Sequence, residues 1–204
     1  MTSTADWLPP AAPARVVSHE VDGRGLTIRL DDGWLRLTPC SPRMVRIRYT
    51  LADEFSTRPS LTVLPAAADP EPVRFWVQDR SVRLVMSTNA LSVEIDRETA
   101  AFTYRDAAGR ILTKEPNQGG RTLEPTDVEV SVFEDATAAV SDKHIDGLRM
   151  ELAGVRQVVD RQAYHTKVEF EWADGEALYG LGSHEEGMFN LRGHRQYLYQ
   201  HNTK

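Results

Sequence analysis

The 204-residue sequence contains a single cysteine, Cys40. An internal disulfide needs two cysteines and a cysteine-based zinc site needs more, so both are excluded. No local histidine or other base accompanies Cys40, and we therefore expect a small buried residue and not a nucleophile. The chain also lacks any apolar run near the ~18 residues that a membrane span requires.

An excess of positive charge is missing as well. The net charge is −6, the sequence pI is near 5.5, and acidic and basic residues are interspersed along the chain. No basic stripe is available to hold nucleic acid or an anionic membrane, so we expect neither as a partner. The N-terminus has no basic region followed by an apolar core, as a signal peptide would have, and this predicts a cytoplasmic protein.

Sustained helical spacing is absent too, although Leu148–Leu152 is ambiguous. Apolar and polar residues instead alternate in short runs separated by Asp-Gly turns, which is typical of antiparallel hairpins. We predict strands at 16–21, 26–30, 34–38, 44–49, 81–86, 91–95, 101–104, 110–113, 127–132, 147–152 and 168–172. Ten to fourteen short strands with little helix indicate an all-β fold, an antiparallel β-sandwich over 15–204. Residues 1–14 are expected to form an irregular leader and 51–72 a loop or strand crossing.

The segment 177–204 is rich in glycine, histidine and acidic residues, a composition that predicts a shaped loop. It fits none of the common chemical motifs. The third glycine of a dinucleotide fingerprint would fall at Glu185. Glu185 and Glu186 are adjacent and would point to opposite faces of a strand, so they cannot flank one glycosidic bond. The spacing of His184, His194 and His201 gives no support to a zinc site.

The same segment resembles one family closely. It reads Tyr-Gly-Leu-Gly-Ser-His from Tyr179, then Gly187, then Asn-Leu-Arg-Gly from Asn190, then Gln-His-Asn-Thr from Gln200. This pattern is similar to the end of the N-terminal, galactose-mutarotase-like domain of glycoside hydrolase family 31, which includes α-glucosidases and α-xylosidases. The Gln-His-Asn-Thr ending is more similar to the bacterial α-xylosidase type than to the animal maltases.

The resemblance implies a non-catalytic β-sandwich domain of a retaining α-glycosidase. In that family both catalytic aspartates lie on a following (β/α)₈ barrel, so no residue of this chain is assigned a catalytic role, and the chain alone is expected to be inactive. The barrel is the implied intramolecular partner, an α-glycoside is the implied substrate, and no metal or cofactor is implied. The candidate substrate contacts are His184, His201, Asn202 and Thr203.

Two alternatives remain open at this stage. One is a free-standing carbohydrate-binding β-sandwich, and the other is an aldose-epimerase-like enzyme in which His165 and Glu169 would act across a cleft. We expect Arg192 to pair with an acid or to cap backbone carbonyls. We expect the core to contain Tyr164, Phe170 and Trp172. We expect packing contacts for Tyr179, Phe189, Tyr197 and Tyr199. Without a barrel, Met188, Phe189, Leu191 and 197–199 are expected to be left partly bare.

Overall fold

The computed structural model describes residues 13–60, 63, 71–144, 147–181 and 187–196, with side chains described outside 133–154. In these ranges the chain forms eleven strands and no helix. The strands are β1 Val16–Asp22, β2 Gly25–Leu30, β3 Trp34–Ser41, β4 Met44–Thr50, β5 Trp76–Asp79, β6 Arg83–Ser87, β7 Leu91–Asp96, β8 Phe102–Asp106, β9 Ile111–Lys114, β10 Arg121–His144 and β11 Gly147–Val168.

Strands β1 to β4 form the first sheet, an antiparallel meander in which each strand pairs with the next along the chain. The Asp-Gly turn between β1 and β2 is stabilised locally, because the Asp22 carboxylate accepts the backbone N–H groups of Arg24 at 2.7 Å and Gly25 at 2.9 Å. Gly25 also sits against the neighbouring strand, where a Cβ would overlap the carbonyl oxygen of Leu37. This turn and the pairing of neighbouring strands confirm the hairpins predicted from the sequence.

Strands β5 to β9 form the second sheet, also an antiparallel meander. The sequence predicts its last four strands, but it does not predict β5, which lies directly after the Pro- and Ala-rich stretch. Four residues give too short a run for alternation to be recognised. Only the pairing of β5 with β6, Trp76 opposite Ser87 and Asp79 opposite Leu84, defines it as a strand.

The core lies between the two sheets, so the fold is an antiparallel β-sandwich. Alternate residues of β2 and β3 face alternate residues of β6, β7 and β8, as expected when the side-chain period is two. The buried residues are Val16, Leu26, Ile28, Leu30, Leu35, Leu37, Leu84, Met86, Val93, Ile95, Ala100 and Phe102. Each large side chain among them contributes about 1.5–3 kcal/mol of burial free energy.

Two polar links fasten the sheets to each other outside this core. The Val16 backbone N–H donates to the carbonyl of Arg97 at 2.8 Å, joining the start of β1 to the turn after β7. The buried Thr88 hydroxyl donates to the Pro42 carbonyl at 2.5 Å, joining the turn after β6 to the turn after β3. The relative position of the two sheets is therefore fixed by hydrogen bonds as well as by apolar packing.

Strands β10 and β11 form a separate two-stranded antiparallel hairpin, 24 and 22 residues long, with three irregularities in its register. The predicted strands 127–132 and 147–152 lie within it. The predicted strand 168–172 is wrong beyond Val168, because the chain then changes neighbours. The backbone N–H of Glu169 donates to Gly120 at 2.7 Å, and that of Glu171 donates to Lys114 at 2.8 Å.

The aromatic residues of this region do not occupy the core, contrary to the sequence-based expectation. Tyr164 is 47% exposed, and Phe170 and Trp172 are exposed to a similar degree. Tyr164 lies on the separate two-stranded hairpin, and Phe170 and Trp172 follow its last residue. The sandwich core is already filled largely by aliphatic side chains, so these rings lie at the surface. Cys40 is also less buried than expected, because it is only half-buried, and its thiol donates to the Thr38 carbonyl at 3.4 Å.

Candidate functional site

The four predicted contact residues, His184, His201, Asn202 and Thr203, lie outside the described residues. The structure does describe both ends of the loop that contains His184. These ends are residues 177–181 on one side and 187–196 on the other. Hydrogen bonds within this chain hold the entry and exit of the loop.

Leu178 and Leu191 tie the two ends together. The Leu191 backbone N–H donates to the Leu178 carbonyl at 2.7 Å. The Asn190 side-chain oxygen accepts both the Leu178 N–H and the Arg192 N–H, each at 3.1 Å. Leu191 is only 2% exposed, so the expectation that it would be bare is wrong. Its burial anchors the exit of the loop without any contribution from another domain.

Arg192 fixes the same exit to the preceding segment. Its guanidinium donates to the carbonyl of Glu176 at 2.8 Å and to that of Ala173 at 3.3 Å. It also lies 5.2 Å from the centre of the Trp172 ring, a cation–π distance. The prediction that Arg192 caps backbone carbonyls is confirmed. This arginine therefore has a positioning role.

The backbone at the entry of the loop adopts left-handed conformations that regular strands do not contain. Gly180 has φ of +97°, which the absence of a Cβ permits. The next residue, Leu181, has φ of +63°, a conformation uncommon for a non-glycine residue. Such positions cost on the order of 1–3 kcal/mol and persist where the surroundings dictate them. The prediction of a shaped loop is confirmed for its described ends.

Large apolar side chains are exposed around these ends. Phe189 is 83% exposed, and its ring centre lies 4.9 Å from that of Tyr179, itself more than half exposed. Trp172 and Met188 are also exposed. The packing predicted for Tyr179 and Phe189 is thus limited to a contact with each other. We refer to Trp172, Tyr179 and Phe189 as the loop-flanking aromatic cluster.

A second feature is a cavity of about 310 Å³ between β4, β8 and the base of the hairpin, with Tyr49, Tyr104 and Phe170 among its lining residues. It contains the ion pair of Glu115 and Arg121. Glu115 is 3% exposed. Burial raises the pKa of its carboxyl group, although the Arg121 charge and the Phe102 N–H oppose this change. Burial likewise raises the pKa of Tyr104.

Both carboxylate oxygens of Glu115 are engaged. One accepts from Arg121 at 2.5 Å and the other from the Phe102 N–H at 2.9 Å. Arg121 donates in addition to the Ala100 carbonyl at 2.6 Å and lies 3.8 Å above the Phe102 ring. Glu115 is the one acid in the lining of this cavity. A retaining glycosidase needs two carboxyl groups flanking the scissile bond, so the arrangement is suited to stability and not to hydrolysis.

The epimerase alternative finds no matching geometry. His165 is exposed on β11, and Glu169 pairs with Lys167 at 3.2 Å. The described residues contain no group of three or more His, Cys, Asp or Glu side chains placed to hold a metal ion. Among the same residues, no helix is long and apolar enough to cross a membrane.

The sandwich and its tied loop define a β-sandwich domain of the galactose-mutarotase-like class. The sequence matches the glycosyl hydrolase 31 N-terminal galactose mutarotase-like domain over residues 35–203, and the chain belongs to that family.

Solved structures share this fold at low sequence identity. A family 31 α-xylosidase from Xanthomonas citri is 21% identical with a TM-score of 0.55, over 92% of this chain and 16% of that one. An α-xylosidase from a soil metagenome, complexed with xylose, is 15% identical with a TM-score of 0.57, over 87% and 24%. A Flavobacterium johnsoniae dextranase complexed with glucose is 13% identical with a TM-score of 0.50, over 66% and 17%. The chain thus spans at most about a quarter of these enzymes.

Proposed function

We propose that this chain is the non-catalytic N-terminal domain of a retaining α-glycosidase that removes terminal α-glucosyl or α-xylosyl residues. The observation that carries the proposal is the tied loop between Leu178 and Leu191, in a chain that belongs to the family 31 N-terminal domains. The α-xylosidases and the dextranase that share the fold support a carbohydrate substrate. Hydrolysis by a pair of carboxyl groups uses water and requires no cofactor.

The chemistry of the described residues supports a division of labour with a second domain. Leaving-group protonation and nucleophilic attack need two carboxyl groups about 5–5.5 Å apart in a retaining enzyme. Glu115, the buried acid of this chain's cavity, is committed to Arg121 and Phe102. We therefore place both catalytic carboxylates on a following barrel domain, and we expect the isolated chain to hydrolyse neither aryl α-glucosides nor aryl α-xylosides.

The role assigned to this chain is to shape the substrate pocket. His184, His201, Asn202 and Thr203 carry imidazole, amide and hydroxyl groups, which combine donors and acceptors as sugar hydroxyls require. Leu178, Asn190 and Leu191 hold the ends of the loop that carries His184. A loop held at both ends loses less conformational entropy on binding substrate than a free one.

The loop-flanking aromatic cluster supplies the surface on which the barrel docks. Trp172, Tyr179 and Phe189 are all about half exposed or more, although each is large and apolar. Exposed apolar groups of this kind mark interaction sites. Aromatic residues are also enriched in the buried centres of protein interfaces. Docking here would place the loop from Gly180 to Gly187 at the junction of the two domains.

The test uses the full-length enzyme and the substitution Asn202→Ala, with Asn117→Ala, at an exposed turn of the sandwich, as the matched control. Loss of one hydrogen bond to a sugar hydroxyl costs about 0.5–1.5 kcal/mol. We therefore expect kcat/KM to fall roughly two- to twelvefold with an unchanged melting temperature. A melting temperature lowered by several degrees with unchanged kcat/KM would make Asn202 an interface residue instead.

A free-standing carbohydrate-binding module is the second candidate, favoured by the same exposed aromatic rings, which can stack on sugars. The two candidates differ in the effect of Phe189→Ala. In a domain of a larger enzyme, this change weakens association with the barrel domain and lowers activity. In a free-standing module, it weakens sugar binding by the isolated chain.

A further inference from the structure

The outer face of the second sheet carries an ordered row of side chains. Trp76 lies opposite Ser87, Ser87 opposite Ser92, and Ser92 opposite Arg105, on strands β5 to β8. Residues in register across a sheet point to the same face, and this face is the one turned away from the core. With strands about 4.8 Å apart, the row spans roughly 14 Å.

The members of the row differ in a way that suits a polyol. Trp76 is 45% exposed at the edge strand and offers an apolar ring. Next to it, the Ser87 and Ser92 hydroxyl oxygens lie 2.9 Å apart and share one hydrogen bond. Each hydroxyl has one donor and two acceptor sites, so the pair retains one donor and several acceptor sites after that bond is made. An apolar ring beside hydroxyl groups that can still form hydrogen bonds complements a sugar, which has apolar faces and hydroxyl edges.

The charged residues that line this face around the row balance in number, with Arg80 and Arg105 against Glu94 and Asp106. Glu94 accepts from Arg83 at 2.6 Å and from Arg105 at 2.9 Å. Arg105 also donates to the Gly109 carbonyl at 3.1 Å, and Arg80 donates to the Gln78 side chain at 2.5 Å. These pairs hold the polar groups in place before a ligand arrives, which lowers the entropic cost of binding. The equal numbers of positive and negative groups in the lining favour a neutral ligand over an ionic one.

The face is concave around Trp76. A groove of about 480 Å³ runs from Trp76 along Ser87 and Ser92 to Arg105. A second groove, of about 450 Å³, shares Trp76 and Asn89 with the first and is lined also by Arg74. Both volumes fall in the range of small-molecule sites. Trp76 therefore borders both grooves, and the row of roughly 14 Å along the first is longer than one sugar unit.

We propose that the groove along this row is a binding site for a neutral oligosaccharide, with Trp76 as the stacking platform and Ser87, Ser92 and Arg105 as hydroxyl contacts. The ligand class rests on the proposed function, because it assumes a carbohydrate-active protein. The site itself is separate from the substrate loop. Trp76 lies on β5, at one edge of the sheet. On the chain leading to that loop, the Glu171 backbone N–H donates to the Lys114 carbonyl on β9, at the opposite edge.

The experiment is an NMR titration of the 204-residue chain with maltotriose and, separately, isomaltotriose. We expect saturable shifts at the Trp76 indole N–H and at the Ser87, Ser92 and Arg105 amides. Trp76→Ala removes the stacking surface and should weaken binding on the order of tenfold. Ser92→Ala should weaken it roughly two- to tenfold. Tyr164→Ala, an equally exposed aromatic residue on β11, should leave the affinity unchanged.

Several outcomes would overturn the site. No saturable shift up to the millimolar range, shifts confined to the cavity near Tyr49 and Tyr104, or equal losses in Trp76→Ala and Tyr164→Ala would each do so. Preferential binding of trigalacturonate would refute the neutral ligand. The hydrolase assignment is tested separately, since it depends on the activity of the full-length enzyme and on Asn202, neither of which enters this titration.

Discussion

Removing Arg121 should be among the most damaging changes in the described part of the sandwich. In Arg121→Met, a chain of similar length replaces the guanidinium but cannot pair with Glu115. The carboxylate, whose side chain is 2% exposed, then keeps only the Phe102 N–H. The substitution also removes the donor to the Ala100 carbonyl and the cation over the Phe102 ring.

Leaving one member of a buried ion pair uncompensated costs about 3–5 kcal/mol. The free energy of unfolding of a domain is about 5–15 kcal/mol, so this loss is a large share of the total stability. For a chain of this size each kcal/mol lowers the melting temperature by about 2–4 °C, which gives a decrease of roughly 6–20 °C.

Thermal unfolding followed by far-UV circular dichroism measures this effect, with Arg110→Met as the control. Arg110 also pairs with an aspartate, Asp106, but its side chain is 81% exposed, and its removal should leave the melting temperature almost unchanged. The double variant Glu115→Gln/Arg121→Met should recover part of the loss, because no charge remains buried. Equal effects of Arg121→Met and Arg110→Met, or no recovery in the double variant, would refute the reasoning.

The pH dependence of Arg121→Met provides an independent check. Burial already raises the pKa of Glu115 above its ordinary 4.5, and without Arg121 it should rise further. A carboxyl whose folded-state pKa is raised takes up a proton on folding. Its stabilising contribution is therefore complete below pH 4.5 and is lost as the pH rises through the folded-state value. The deficit of Arg121→Met relative to the wild type should accordingly shrink as the pH is lowered towards 4.5.

Two further predictions concern the turns and the loop. Gly25→Ala should destabilise the chain by roughly 1–3 kcal/mol in urea unfolding, because its Cβ would overlap the Leu37 carbonyl oxygen, whereas Gly23→Ala, with open space around it, should change little; equal effects would contradict this steric argument. Asn190→Ala should accelerate hydrogen exchange at the Leu178 and Arg192 amides, which lose their acceptor, whereas exchange at Val93 in the core should remain unchanged; unaltered rates at Leu178 would show that the Leu191 contact alone holds the loop.

The sandwich was predictable where apolar and polar residues alternate strictly along the sequence. In β2, Leu26, Ile28 and Leu30 face the core, and the polar residues between them face outward. The Asp-Gly turn after β1 specifies its hairpin for a local reason, since the Asp22 carboxylate bonds the turn N–H groups. Period and turn chemistry are both properties of neighbouring residues, and the sequence displays them directly.

The long hairpin of β10 and β11 was not predictable in the same way. Pro125 and the acidic pair Glu134–Asp135 interrupt the alternation of β10, and the register shifts three times. Only pairing between residues far apart in sequence, such as Arg121 with Val168, defines the strands. The surface positions of Tyr164, Phe170 and Trp172 were missed for a related reason, because aromatic rings are found in cores and in interfaces alike.

Part of the candidate site could be inferred from single residues. The role of Arg192 followed from its chemistry, since a guanidinium near a glycine-rich loop has many carbonyl groups to bind. The burial of Leu191 could not be inferred, because nothing in the local sequence distinguishes it from Phe189, which is exposed. Leu191 differs from Phe189 in the pairing of its backbone N–H with the Leu178 carbonyl, a contact across the loop that the local sequence does not display. The predicted contacts at His184 and at 201–203 stay predictions.

The buried ion pair and the loop are structurally linked. Arg121 is the first residue of β10, and the preceding Gly120 packs so closely that a Cβ there would lie 2.7 Å from both the Glu115 side chain and the Glu169 carbonyl oxygen. Glu169 in turn begins the segment that contains Trp172, whose ring contacts the Arg192 guanidinium. The Glu115–Arg121 pair therefore fixes the point at which the chain leaves the sandwich for the loop. A substitution there that preserved the fold should still shift the amide resonances of Leu178 and Leu191, whereas Arg110→Met should not.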